Sequence, residues 1–117
     1  MPVRTRVVRI WSAIWGRGCQ WVVLDVSKRS LGLVGLTPHK EGSDWEVSYQ
    51  FMPGAWGNGY ATEAIAYLLD HAPVTRVIAE TQVANGASCR LLERIGFVEE
   101  IRLVRFGAEQ IIYARET

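Results

Sequence analysis

The sequence predicts an α/β fold, a mixed sheet with helices packed on it. Three observations carry that prediction. The first half of the chain is a series of apolar, β-branched runs separated by turn residues. Near residue 57 the apolar period changes from two to 3.6. Beyond that point extended and helical segments alternate to the end. At 117 residues the chain reads as one domain, 1–117. A domain of this size buries roughly two-thirds of the surface that its unfolded chain exposes, so it needs no disulfide or metal to form a core.

The elements follow in order. Trp21-Val22-Val23-Leu24-Asp25-Val26 is a strand, and Ser27-Lys28-Arg29-Ser30 is a turn. Leu31 to Leu36 is a second strand, stopped by Pro38, so the two runs make a hairpin. Lys40 to Asp44 is a polar loop. Trp45 to Phe51 alternates, with Trp45, Val47, Tyr49 and Phe51 on one face and Glu46, Ser48 and Gln50 on the other. Pro53-Gly54 breaks that strand, and a glycine-rich turn follows. Ala61, Ala64, Ile65, Leu68 and Ala72 lie on one helical stripe, and Pro73 ends the helix. Thr75 to Val83 is a strand. Asn85 is placed to cap a second helix carrying Ser88, Leu91, Leu92 and Ile95, with Gly96 as its left-handed end. Phe97-Val98 and Gln110 to Ala114 close the sheet. Ahead of all this, Trp11, Ile14 and Trp15 form a short helical stripe ended by Gly16 and Gly18.

Composition excludes several classes. Hydrophobic residues make up 49% and charged residues 21%, which excludes a disordered chain. The formal net charge of +1 gives no broad attraction to nucleic acid or to an anionic membrane. Arg4, Arg6 and Arg9 form a solvated basic cluster. No run approaches the ~20 apolar residues of a membrane span, and no secretory signal is recognisable. Cys19 and Cys89 match no zinc or redox spacing, and His39 and His71 have no ligand at metal spacing. The expectation is a reduced, cytoplasmic protein without a metal.

The chemistry concentrates where strand, glycine-rich turn and helix meet. A helix start has unpaired N–H groups and a positive dipole end, and glycine lets an anion approach the backbone. That combination binds phosphate. Gly57-Asn58-Gly59 alone is also what a tight turn looks like. It is not a nucleotide P-loop, since no Gly-Lys-Ser/Thr follows, and it is not a dinucleotide fingerprint, since position 62 is Thr62.

The wider pattern is more specific. Tyr49-x-Phe51-x-Pro53-x-x-Trp56-Gly57-x-Gly59-Tyr60-Ala61-Thr62-Glu63-Ala64 closely resembles the cofactor motif of the GNAT acetyltransferases, most like the branch holding the ribosomal-protein-alanine acetyltransferases. A second block, Asn85-x-x-Ser88-x-x-Leu91-Leu92-Glu93-Arg94-x-Gly96-Phe97, resembles the other signature of the superfamily in type and order. The resemblance spans about residues 21–114 and implies a central mixed, mostly antiparallel sheet flanked by helices.

It also implies roles. Trp56, Gly57, Asn58, Gly59, Tyr60, Ala61 and Thr62 would wrap the coenzyme A pyrophosphate; an Arg or Gln often stands in the superfamily where this chain has Trp56. Phe51 and Met52 would run beside the pantetheine, Asn85 would contact it, and Ser88 would lie near the sulfur. Arg90 and Arg94 are partners for the adenosine phosphate or simply solvated helix charges.

The implied reaction is direct attack of a primary amine on the thioester of acetyl-CoA. A backbone amide near Phe51 or Met52 would stabilise the developing oxyanion. An α-amine of pKa ~7.8 is neutral for roughly one molecule in seven at pH 7, and a lysine amine for fewer than roughly one in a thousand, so the second needs more help from a base. Glu46 is the preferred base and Glu80 the second choice; a solvent-facing strand carboxylate is the alternative for Glu46. The tyrosine that many members use to protonate the thiolate is replaced here by Leu92, which leaves Ser88, directly or through water.

Two helices that usually form the acceptor wall are expected to be shortened, because only Met1–Gln20 precede the first clear strand. The acceptor side would then be open, shared in a homodimer, or lost. The sequence therefore leaves two readings: an N-acetyltransferase acting on a small amine, a peptide N-terminus or an amine-bearing antibiotic, and a non-catalytic coenzyme A-binding or interaction domain.

Overall fold

The computed structural model describes residues 5–11, 18–38, 44–57, 59–72 and 74–116. Seven strands form one sheet: β1 (Thr5–Trp11), β2 (Cys19–Asp25), β3 (Ser30–Pro38), β4 (Trp45–Phe51), β5 (Arg76–Gln82), β6 (Val98–Arg105) and β7 (Ala108–Glu116). Their spatial order is β1-β2-β3-β4-β5-β7-β6. Every neighbouring pair is antiparallel except β4 and β5, which run parallel. Helix α1 (Tyr60–His71) connects β4 to β5, and helix α2 (Gly86–Ile95) follows β5. The mixed, mostly antiparallel sheet expected from the sequence is the one observed.

Register decides what is buried. Leu36 stands opposite Val47, Trp45 opposite Val77, and Ala79 opposite Tyr113, so these residues share one face of the sheet. Ala64, Ile65 and Leu68 of α1 and Leu92 of α2 close over that face in a single core. Trp45, Val47, Tyr49 and Phe51 all turn toward this core. Two polar contacts fasten the helices to β7: Arg115 donates to Asp70 of α1 at 2.6 Å, and the Tyr113 hydroxyl donates to Glu93 of α2 at 2.8 Å. Among the described residues no helix covers the opposite face, where Ser48 and Gln50 are exposed.

The caps follow the sequence. The Asn85 side chain accepts from the Ser88 N–H at 3.1 Å. Gly96 sits at φ 102, and the Phe97 N–H returns to the Leu92 carbonyl, closing a left-handed helix end. The β2–β3 turn is built around Asp25, whose carboxylate accepts from the N–H groups of Ser27 and Arg29 at 2.8 and 3.0 Å.

Three expectations need correction. Residues 5–11 form a strand paired with β2, so Trp11 ends a strand and does not begin a helix; Ile14, Trp15 and Gly16 lie outside the described residues, as do Arg4, His39 and Pro73. β1 thus precedes the strand that the sequence presents as first. β6 runs on from Val98 to Arg105, because Phe106 and Gly107, at φ 57 and 74, form a two-residue hairpin turn into β7.

Candidate functional site

The parallel pair β4–β5 meets over two residue pairs only, Trp45 with Val77 and Glu46 with Ile78. Beyond them the strands part, while β4 stays paired to β3 through Phe51 and β5 stays paired to β7 through Gln82. The sheet therefore carries a V-shaped opening. One wall is the unpaired edge of β4, and the other is Ala79, Glu80 and Thr81 of β5. The opening is part of a cleft of about 800 Å³, within the usual range for a small-molecule site.

Strand geometry decides which β4 backbone groups face the opening. N–H and C=O of one residue point to the same side, and successive residues alternate. The Met52 N–H donates to the Leu31 carbonyl at 2.9 Å, toward β3. The N–H and C=O of Phe51 therefore face the cleft. In agreement, the Trp56 indole N–H reaches the Phe51 carbonyl at 3.0 Å from the cleft side. Of the two amides offered for an oxyanion, that of Met52 is engaged with β3 and that of Phe51 faces the cleft. Met52 is also absent from the cleft wall, with an exposed side chain. Close packing sets the strand's position: a Cβ on Gly32 would stand 2.3 Å from the Gln50 carbonyl oxygen and 2.9 Å from Phe51 Cγ.

At the wide end, Gly57 and Gly59 both lie in the left-handed region, at φ 79 and 78. A Cβ on Gly57 would meet nothing, so the backbone is open on that side. Gly59 is the N-cap of α1, whose first turn presents N–H groups with no acceptor inside the helix. Trp56, Gly57, Gly59, Tyr60, Ala61 and Thr62 all border the cleft. Asn58 lies outside the described residues.

Helix α2 forms the third side. Asn85, Ser88, Arg90 and Arg94 line the cleft, the two arginines being exposed. Glu46 and Glu80 line it too. Glu80 is held by Arg105 at 2.8 Å, with both side chains largely buried. One residue within the recognised motif acquires a partner that no local pattern announces. The Tyr49 hydroxyl lies 2.5 Å from Ser88 Oγ, a bond across the cleft from β4 to α2. Burial pushes the Tyr49 phenol above its ordinary value. His71 belongs elsewhere: it stacks on Tyr67 and bonds its carbonyl at 2.8 Å.

An extended strand edge, a cleft beside it and a glycine turn at a helix start can together take a ligand with an amide-bearing chain and a diphosphate. Residues 3–98 match the family model described as an acetyltransferase (GNAT) domain. The chain belongs to the GNAT acetyltransferase family. Over 106 residues it is 29% identical to YkkB of Bacillus subtilis, itself uncharacterized, covering 83% of this chain and 60% of that protein. The chain thus spans three-fifths of that relative's length. A Bordetella pertussis structure assigned to the GnaT family superposes with a TM-score of 0.76 at 27% identity, covering 91% of this chain and 69% of that one. The spermidine N-acetyltransferase of Vibrio cholerae, solved with CoA and spermine, has the same fold, with a TM-score of 0.76 at 24% identity, covering 86% of this GNAT chain and 66% of its own. Among the described residues no helix is long and apolar enough to cross a membrane, and no acidic, histidine or cysteine group is arranged to hold a metal.

Proposed function

We propose that the chain is an acetyl-CoA-dependent N-acetyltransferase that acetylates a primary amine by direct attack. The observation that carries this reading is the parting of β4 from β5 just before the left-handed turn at Gly57 and Gly59. Bound acetyl-CoA supplies an activated acetyl group there. Phe51 and its strand edge orient the pantetheine, with the Phe51 N–H toward the carbonyl oxygen that gains charge. The segment from Trp56 to Thr62, Asn58 included, holds the pyrophosphate, and Arg90 and Arg94 flank the adenosine phosphate. Much of the rate enhancement is positional, because an aligned amine acts at a high effective concentration.

Glu46 is the preferred base. It sits on the cleft wall where β4 and β5 last pair, and Glu80, which also lines the cleft, is the second choice. Ser88 faces the leaving sulfur, since position 92 holds a buried leucine in place of a tyrosine.

The motif from Tyr49 to Ala64 favours the ribosomal-protein-alanine branch, and with it a peptide α-amine as acceptor. The shared fold with a spermidine acetyltransferase makes a polyamine the next acceptor to test. The buried Leu92 favours the second reading, a coenzyme A-binding domain without turnover. Thiol release from acetyl-CoA with an N-terminal alanine peptide, spermidine and an aminoglycoside separates the two. Turnover well above the hydrolysis of acetyl-CoA with any of these supports the enzyme. Binding of acetyl-CoA with no acceptor-dependent release supports the second reading.

A cytoplasmic homodimer completes the proposal. Ile101 and Val104 are exposed on β6, which ends the sheet with an unpaired edge. A monomeric mass by light scattering at assay concentration counts against it.

A further inference from the structure

The leaving sulfur lacks the tyrosine that the family resemblance leads one to expect, and Leu92 in its place is fully buried. A phenol nevertheless reaches the cleft from a different element. Tyr49 comes from β4, and its hydroxyl is 2.5 Å from Ser88 Oγ on α2. Ser88 is thereby fixed at two points, since its N–H is also held by the Asn85 side chain at 3.1 Å. Residue Ser88 lies in the first turn of α2, at the positive end of the helix dipole.

Each oxygen of the pair can donate or accept. A phenol is a stronger acid and a poorer acceptor than an alkyl hydroxyl, which favours Tyr49 as the donor. The hydrogen of Ser88 is then left to turn into the cleft. Burial keeps the phenol protonated through the working range.

We propose that Tyr49 is a positioning residue that donates to Ser88 Oγ and so aims the Ser88 hydroxyl at the sulfur of bound coenzyme A. The inference rests on the acetyltransferase reading above. When the C–S bond breaks, its electron pair stays on sulfur, and Ser88 donates a hydrogen bond to that charge. No proton leaves Ser88. The amine gives up a proton to Glu46, and from there to solvent, on becoming an amide, and the thiolate takes one back from solvent. A donor that is itself receiving a hydrogen bond is polarised and binds an anion more tightly.

The test is the ionisation of the coenzyme A thiol in its complex with the protein. Thiolate absorbance is followed against pH, and the same titration with desulfo-coenzyme A is subtracted to remove the tyrosines. The thiol bound to the native chain should titrate below the free thiol. Tyr49→Phe should raise that midpoint by about half to one pH unit, and Ser88→Ala by at least as much. The double variant should go no further than Ser88→Ala alone, because the two groups act as one. Equal midpoints in the native chain and both variants, each still binding coenzyme A, overturn the inference while leaving the acetyltransferase reading intact. If Tyr49→Phe fails to fold, Ser88→Ala carries the same test, since it removes one hydroxyl from a partly exposed helix position. A native chain that does not bind coenzyme A overturns both readings.

Discussion

Two carboxylates show how residue chemistry divides between reaction and stability. Glu46 lines the cleft at the point where β4 and β5 last pair. As a base for the amine, it should be worth ~10²–10⁴-fold in turnover. Glu46→Gln is therefore expected to lose activity on that scale while acetyl-CoA binding, read by titration, is unchanged; near-native turnover removes Glu46 from the mechanism. Asp25 is far from that role. Its carboxylate is held below its ordinary value, first by the Arg29 N–H and also by the Arg29 side chain and the Ser27 N–H. A group whose native pKa is lowered contributes stability that is complete above its unfolded value of about 3.9 and fades as pH falls through the native value. Acid unfolding followed by circular dichroism should therefore begin at lower pH in Asp25→Asn than in a reference that keeps Asp25 and has the same stability at neutral pH, because the variant has no such contribution to lose. An unchanged acid limb contradicts this role.

At the scale of elements, α2 links folding to chemistry through its cap. The Asn85 carbonyl that satisfies the Ser88 N–H also fixes the residue proposed to face the sulfur. Asn85→Ala should cost ~1 kcal/mol of stability, seen in denaturant titration, and should lower turnover beyond what that loss explains. The elements legible in the sequence were those with a strong local signal: the alternation of β4, the stripe of α1, and the asparagine and glycine that bound α2. Those missed had none. Thr5–Trp11 shows no clean period, and β1 exists because β2 offers it an edge. β6 mixes charges with apolar residues and carries a register shift between Glu99 and Ile101, which hides its alternation. The turn that joins it to β7 uses Phe106 in the left-handed region, where sequence rules look for Asn or Asp. The site was legible in the same uneven way. The glycine turn and the wall from α2 could be read from the chain. The bond between Tyr49 and Ser88 joins residues 39 apart, and only the fold brings them together. The engagement of the Met52 N–H with Leu31, which leaves Phe51 as the available amide, is likewise a matter of strand pairing.

At the scale of the molecule, the cleft is a consequence of topology. Helices α1 and α2 pack on the same face and close the core, while the parallel pair β4–β5 comes apart toward the turn at Gly57 and Gly59. Antiparallel partners hold each strand from its far side, so the opening is kept without loss of the sheet. The proposed ligand of this opening is acetyl-CoA, with its pyrophosphate on the turn. The most direct measurement is calorimetric titration of acetyl-CoA into the native chain and into Gly59→Asp, with folding of the variant checked by its melting transition. Aspartate tolerates the left-handed backbone better than most residues, and it puts a carboxylate where the pyrophosphate is proposed to bind. The expected result is saturable binding with one site per chain, abolished in a folded Gly59→Asp. Absence of binding by the native chain, or undiminished binding by Gly59→Asp, contradicts it.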